Sequence, residues 1–230
     1  MGSPYKITYG VDIVFCIDCS RHMEPELERV KKHVCDFCGD LIRSMDSKGQ
    51  PISQLRARII LFRDYLEDGD QAVLVTYFFQ FPAQKEEFRA LVESITADGG
   101  GIASSQDGLE ALAFAIKSTP WDRSSIRRVH LIVVYSNNPA HPLGYGARSP
   151  YYPKGMAKNF DELTAWWGSK YAPGIMDEYA KRMIIFAPDA PGWKEIRNNW
   201  NKVVHYGSDA GHGISEYDLE AILSLLTNSI

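Results

Sequence analysis

Residues 11–18, Val-Asp-Ile-Val-Phe-Cys-Ile-Asp, are the stretch that decides the fold. Apolar residues dominate it without the strict alternation of a half-exposed strand, which favours a strand buried on both faces. Asp18 ends the run, and a short polar turn with Ser20 and His22 precedes a helical pattern. A buried strand that leads through a polar turn into a helix is typical of a parallel α/β sheet.

Further short apolar runs predict more strands, and they alternate with runs in which apolar residues recur every three or four positions. The predicted strands are 11–17, 58–62, 73–79, 129–135, 183–186 and 203–206. The predicted helices are 23–45, 84–95, 105–118, 160–181 with a break near Pro173, 191–200, and a C-terminal helix with Leu219, Ile222, Leu223 and Leu226.

This order of elements predicts an α/β fold of the doubly wound, Rossmann-like type. We expect a mostly parallel six-stranded sheet with helices on both faces. Strands 58–62 and 73–79 read as a hairpin, which would supply one antiparallel edge strand. The economical interpretation is a single domain over residues 1–230, with its core at about 10–228.

Composition and charge exclude several classes of function. The chain has 230 residues, of which 45% are apolar, and 25 basic against 29 acidic residues give a net charge of −4. Such a balance provides no global attraction to nucleic acid or to an anionic membrane. No apolar run approaches the roughly 20 residues of a membrane-spanning helix, and the opening residues lack a hydrophobic signal core. We therefore expect a cytoplasmic protein with no nucleic-acid or membrane partner.

Polar loops follow the predicted strands. In a parallel sheet, ligands gather beyond the carboxyl ends of the strands, so the loops there are the candidate site. Residues 18–23 and 136–141 follow the first and fourth predicted strands, residues 98–105 precede the predicted helix 105–118, and we expect these three loops to meet. The connection 138–158 is rich in Pro, Gly and Tyr, and a connection of this length is usually functional.

The first of these loops resembles the metal loop of von Willebrand factor A domains, whose pattern is Asp-x-Ser/Thr-x-Ser-Met. The matching positions are Asp18, Ser20 and Met23. Residues 62–65 (Phe-Arg-Asp-Tyr), the glycines at 99–101 followed by Leu109-Glu110-Ala111-Leu112, and Pro139 with His141 resemble further landmarks of bacterial members. The resemblance covers about 10–228. It implies a metal-ion-dependent adhesion site, which holds Mg²⁺ and leaves one position for an acidic group of a protein partner.

The chain departs from the family pattern at three positions. His22 replaces the second serine, Ile102 replaces the Thr or Asp expected after the glycines, and Asn137 replaces an aspartate. Fewer anionic ligands mean weaker binding of a hard divalent cation. The resemblance therefore implies a degenerate site.

The remaining ligands of such a weak Mg²⁺ site would be Asp18, Ser20 and Asn137, with Ser104 or Ser105 as a substitute for Ile102. The alternative is that no metal binds. Backbone donors would then hold Asp18 at the tip of a helix, and Ser20 would cap that helix.

The cysteines repeat a Cys-x-x-Cys pattern at Cys16 and Cys19 and again at Cys35 and Cys38, a spacing that matches a zinc ribbon. Cys16 lies inside a predicted strand, whereas Cys35 lies twelve residues along the first helix, about 18 Å from its start at 1.5 Å per residue. The four thiols are therefore expected to be reduced structural residues.

Catalytic motifs are weak. The Gly-x-Ser-x-Gly elbow of serine hydrolases is absent, and no Gly-Lys-Ser/Thr follows the glycines at 99–101. Asp107 and Glu110 read as an acidic pair at a helix start, which compensates the helix dipole.

The sequence thus predicts a non-enzymatic protein-protein interaction module that binds another protein through the loops at the carboxyl end of the sheet. The resemblance implies an accessory role in a bacterial stress, defence or signalling system. The alternative is a Mg²⁺-dependent hydrolase or nucleotide-handling enzyme that uses Asp18 and Ser20. The predicted partner-binding residues are Arg21, His22, Ser104, Ser105, His141, Tyr145, Tyr151 and Tyr152.

Overall fold

The computed structural model describes residues 7–102 and 104–208. Seven strands and five α-helices occur within those ranges. The strands are β1 (Tyr9–Asp18), β2 (Ile52–Phe62), β3 (Val73–Val75), β4 (Phe79–Phe81), β5 (Arg127–Tyr135), β6 (Lys181–Pro188) and β7 (Val203–Ser208). The helices are α1 (Glu24–Ser47), α2 (Lys85–Ser94), α3 (Gly108–Lys117), α4 (Phe160–Trp167) and α5 (Trp193–Asn199).

The strands form one mixed sheet in the order β3-β2-β1-β5-β6-β7, and β4 also pairs with β2. Strands β1, β2, β5, β6 and β7 run parallel, whereas β3 and β4 are antiparallel to β2. All ten residues of β1 are buried, as the apolar stretch predicts for a central strand covered on both faces. The predicted α/β, mostly parallel fold class is confirmed.

Helices cover both faces of the sheet. On one face, α1 and α2 pack on β1, and Phe37 and Phe88 surround Phe15. On the other face, α3, α4 and α5 pack through residues such as Leu112, Trp167 and Trp193, which are fully buried. The sheet therefore separates two apolar cores, and its carboxyl edge lies between the two helical layers.

The predicted strand at 73–79 is wrong in its extent, because the chain leaves the sheet between β3 and β4. Thr76 closes β3 by bonding Ile59 twice, through its backbone nitrogen to the Ile59 carbonyl and through its Oγ1 from the Ile59 nitrogen. Tyr77, the next residue, is almost fully exposed. The antiparallel part therefore consists of two short strands rather than one.

The predicted helix 160–181 ends much earlier, at Trp167. Gly168 follows with φ of 74°, a left-handed conformation that favours glycine, and its nitrogen bonds the Thr164 carbonyl. The side chain of Asn159 caps the start of the helix by accepting from the Glu162 nitrogen. The predicted C-terminal helix, with Leu219 to Leu226, lies outside the described residues. Within the described ranges, none of the helices combines the length and apolarity that a bilayer crossing requires.

Candidate functional site

Four loops meet at the carboxyl edge of the sheet. The loop after β1 is joined to the glycine loop before α3, since Arg21 N bonds Gly99 O at 3.1 Å and Asp98 N bonds Cys19 O at 2.9 Å. The loop after β5 joins the same segment, because Gln106 N bonds the Pro139 carbonyl at 3.1 Å. The three loops expected to meet therefore do so, and the loop after β2 is the fourth member.

That fourth loop is tied in by the carboxylate of Asp68, which accepts from the Gly100 nitrogen at 2.9 Å and from the Asp64 nitrogen at 3.1 Å. The Asp107 nitrogen also bonds the Arg63 carbonyl at 2.8 Å. These contacts hold the start of α3 against the end of β2.

Asp18 is the centre of a buried hydrogen-bond network. Its Oδ1 accepts from the Ser20 backbone nitrogen at 2.9 Å. Its Oδ2 accepts from the Ser136 hydroxyl and from the Asn138 amide nitrogen, each at 2.7 Å. The same Asn138 nitrogen reaches the Ser20 Oγ at 3.2 Å. Burial raises the pKa of Asp18, because it penalises the charged form, and these hydrogen bonds oppose that rise.

The structure differs in one respect from the alternative in which Ser20 caps the helix and no metal binds. Ser20 stands at the start of a short 3₁₀ turn, Arg21–Met23, but its side chain makes no capping hydrogen bond. Its hydroxyl faces Asn138 instead. Asp18 is held by one backbone donor, as that alternative expected, and by two side-chain donors that it did not include.

Asn137 is the third expected Mg²⁺ ligand. The Asn137 backbone nitrogen faces the Met23 sulfur at 3.2 Å, and its buried Nδ2 has no hydrogen-bond partner among the described residues. Ile102 is wholly exposed, and His22 is exposed. Ser20 Oγ and Ser136 Oγ, two oxygens of the kind that Mg²⁺ binds, lie at Asp18 together with the Asn138 amide nitrogen, which is not a ligand for a cation. The Asp18-Ser20-Asn137 site stays a prediction for titration.

A second buried cluster, Asp64-Asp107-His141, lies at the same edge. His141 Nε2 lies 3.1 Å from Asp64 Oδ2. One potential ligand atom from each of the three residues lies within 4.8 Å of the other two, an arrangement that could hold a metal ion. Asp107 Oδ2 accepts from the Tyr65 nitrogen at 2.6 Å, whereas its Oδ1 is buried without a hydrogen-bond partner among the described residues.

Glu110, one turn along α3 from Asp107, is buried as well. Its Oε1 accepts from the Gly144 nitrogen at 2.8 Å and from the Tyr152 hydroxyl at 3.0 Å. Desolvation, reinforced at Asp107 by the charge of Glu110, raises the pKa of both carboxyls. Asp107 directly precedes α3 and Glu110 lies in its first turn, as predicted for an acidic pair at a helix start, and both side chains are completely buried.

The predicted partner-binding residues divide into exposed and buried groups. His141 is buried and its ring stacks on Tyr145, with centroids 3.9 Å apart. Tyr152 is half-buried, and besides Glu110 it contacts the ring of Tyr65. Ser105 is also half-buried. The exposed members are Arg21, His22, Ser104, Tyr145 and Tyr151.

Sequence reasoning missed Asn138, Ser136, Asp64 and the burial of Asp107. The signal for the first two was their position directly after β5, where Asn137 was chosen instead. Asp64 likewise follows β2 directly, within the quoted Phe-Arg-Asp-Tyr stretch. Each lies where a parallel sheet gathers its ligands.

No family model matches this chain. A curated relative, the alpha-protein kinase vwkA of Dictyostelium discoideum, is 28% identical over 145 residues, which cover 63% of this chain and 21% of that protein. The chain thus spans about a fifth of the relative's length.

Two structures of proximal thread matrix protein 1 from the mussel byssus are similar in fold. One has a TM-score of 0.52 at 13% identity and covers 97% of this chain and 49% of that one. The other, described as having a zinc-occupied MIDAS motif, has a TM-score of 0.49 at 13% identity, with 97% and 48% covered. At 13% identity, the likeness to the first of these structures concerns the fold alone.

Proposed function

We propose that residues 1–230 form one von Willebrand factor A-like module that binds another protein without performing a reaction. The binding surface is the carboxyl-edge surface, defined as Arg21, His22, Ile102, Ser104, Tyr145 and Tyr151. The observation that carries the proposal is the exposure of large apolar side chains there: Ile102 is 100% exposed, Tyr151 57% and Tyr145 43%. Aromatic residues and arginine are typical anchors of protein interfaces.

The loops under this surface are held in place, which supports recognition by a preformed site. Asp68 binds the backbone of Gly100, two residues before Ile102. The ring of Tyr151 lies against Gly69, where an added Cβ would come within 3.2 Å of it. Tyr145 stacks on the buried His141. The exposed side chains therefore sit on loops that contact one another.

The burial of Asp18 and Ser20 supports a non-enzymatic role. Both residues are completely buried, so a substrate has no access to the candidate nucleophile or acid in this conformation. Within the described part of the chain, the side-chain hydrogen-bond partners of Ser20 include no histidine that could act as its general base. The alternative of a Mg²⁺-dependent hydrolase or nucleotide-handling enzyme requires that a substrate reach Asp18 and Ser20.

We propose a cytoplasmic, bacterial accessory role in stress, defence or signalling on the basis of the sequence resemblance. The four cysteines, which are free thiols, support a reducing compartment. The name of the Dictyostelium relative assigns no kinase activity to this chain, since the matched region covers 21% of that protein.

The test is site-specific photo-crosslinking in the native host. A photoreactive residue replaces Ile102 in one variant and Ile126 in the other. Ile126 is a matched control because it is 97% exposed and precedes β5 at the opposite, amino edge of the sheet. We expect a discrete crosslinked protein from position 102 and none from position 126.

The crosslinked product should also disappear when Tyr145→Ala is combined with the probe at 102. Equal crosslinking from both positions would contradict the proposed surface. Turnover in a phosphatase or esterase screen that is lost in Asp18→Asn would establish the enzymatic alternative instead.

A further inference from the structure

We propose that Asp64, Asp107 and His141 form a binding site for a divalent transition-metal ion, separate from the Asp18 network. The site would tie together the loops after β2 and β5 and the start of α3. It does not depend on the proposed protein-binding role.

The geometry brings three donors from distant parts of the chain to one point. Their candidate ligand atoms lie within 4.8 Å of one another, and His141 Nε2 is 3.1 Å from Asp64 Oδ2. Nitrogen and oxygen ligands bind zinc tetrahedrally at about 2.0–2.2 Å, which places two ligand atoms of one ion about 3.3–3.6 Å apart. Side-chain movements of at most about 1.5 Å would therefore complete a three-ligand site.

The second observation is an unsatisfied oxygen at the same place. Asp107 is completely buried, and its Oδ1 accepts no hydrogen bond from the described residues. Within the described ranges, no lysine or arginine forms an ion pair with Asp64 or Asp107. Buried carboxylates without a compensating cation are costly, and a bound metal ion supplies that charge.

The surrounding contacts orient the ligands in the way that metal sites require. Asp64 Oδ1 accepts from the Leu66 nitrogen at 2.7 Å, and Asp107 Oδ2 accepts from the Tyr65 nitrogen at 2.6 Å. Tyr145 fixes the plane of the His141 ring by stacking, with 7° between the rings. Such outer contacts hold ligands in a defined orientation.

The ligand set selects the class of metal. An imidazole nitrogen with two carboxylates suits Zn²⁺ and other first-row transition metals, whereas Mg²⁺ and Ca²⁺ prefer ligand sets made only of oxygen. Three protein ligands would leave at least one coordination position for water or an external group.

The experiment is calorimetric titration of the full, chelator-treated chain with Zn²⁺, in a Cys35→Ser background that removes the half-buried thiol. We expect one equivalent to bind. Affinity should fall by more than about 100-fold in Asp107→Asn and in His141→Gln, since loss of a direct ligand should exceed the 10- to 100-fold cost of losing an outer contact. Asp70→Asn, a matched change at an exposed aspartate, should bind as the parent does.

Thermal unfolding without metal shows whether each variant folds. If His141→Gln does not fold, the isosteric Asp107→Asn variant alone is sufficient to test the site. A Co²⁺-loaded chain should show ligand-field bands without thiolate charge transfer, as oxygen and nitrogen ligation predicts. The proposal is overturned if the parent binds no Zn²⁺, if the Asp107 variant binds as tightly as the parent, or if Asp18→Asn rather than Asp107→Asn abolishes binding.

Discussion

The indole nitrogen of Trp193 donates a 2.8 Å hydrogen bond to the backbone carbonyl of Asn138. The Asn138 side chain in turn donates to Asp18 Oδ2. The first residue of α5 therefore fixes the loop after β5, and through it the buried carboxylate at the end of β1. Residues far apart in sequence form one continuous support beneath the carboxyl-edge surface.

Replacing Trp193 with Phe should lower the free energy of unfolding by about 2–4 kcal/mol, because it removes ring volume and leaves a buried carbonyl without this donor. Trp121→Phe is the matched control, since the buried Trp121 Nε1 has no hydrogen-bond partner among the described residues. Its cost should be smaller by about 1–2 kcal/mol. Urea unfolding measures both, and equal losses would show that the Trp193 hydrogen bond contributes nothing.

Gly100→Ala should destabilise the chain more than Gly49→Ala does. Both glycines have positive φ, 77° and 70°, so both substitutions incur about 1–2 kcal/mol of backbone strain. A Cβ on Gly100 would lie 2.4 Å from the Cβ of Ser20, whereas nothing lies within 4 Å of one on Gly49. We expect Gly100→Ala to lower the free energy of unfolding by about 1–3 kcal/mol more than Gly49→Ala does, which is the usual cost of overpacking a core. Chemical denaturation of the two variants gives the difference, and a Gly49 cost equal to that of Gly100 would refute the steric argument.

Stability should depend on His33 in mildly acidic solution. Burial lowers the pKa of His33 from 6.5 to about 4. The unfolded chain therefore binds one more proton than the folded chain between these values, and stability present above pH 6.5 is lost as the pH falls toward 4.

Between pH 6.5 and 4, the free energy of unfolding of the His33→Gln variant should fall less steeply with decreasing pH than that of the parent. The difference in slope should be up to about 1.4 kcal/mol per pH unit. The comparison isolates His33, because His130 and His205, whose pKa values burial also lowers, are present in both proteins. Unfolding free energies from urea titrations between pH 4 and 8 provide the measurement. Parallel curves throughout that range would contradict the prediction.

Only one thiol should react quickly with a disulfide reagent in the native protein. Cys16, Cys19 and Cys38 are buried, and desolvation raises the pKa of each, to about 12 for Cys19. Cys35 is half-exposed. Because the thiolate is the reactive form, the buried three should react only after unfolding. The Cys35→Ser variant should lose the fast phase, and a fast phase that survives in it would identify a different accessible thiol.

The sheet was predictable because its central strands are buried on both faces and so appear as unbroken apolar runs. β2 begins at Ile52, six residues before its predicted start, because Ser53, Gln54 and Arg56 interrupt the apolar pattern. Arg56 is accommodated by a bidentate pair with Asp12, a contact between neighbouring strands that no local pattern indicates.

The candidate site was predictable in its location and less so in its members. Sequence position placed the loops at one edge, since that follows from parallel strand direction. It could not distinguish Asn137 from Asn138, because adjacent residues point in different directions and the loop conformation decides which one faces Asp18. The Asp64-Asp107-His141 cluster depends on three loops folding together, which no spacing along the chain encodes.

The complete burial of β1 separates the part of the chain that supports the fold from the part that we propose binds a partner. Its ten residues sit between both helical layers and leave no side chain for contact with other molecules. The proposed carboxyl-edge surface lies on turns outside that strand, so Ile102 or Tyr145 can be exchanged without disturbing it. A library randomised at those turns should therefore yield binders of new specificity on an unchanged scaffold.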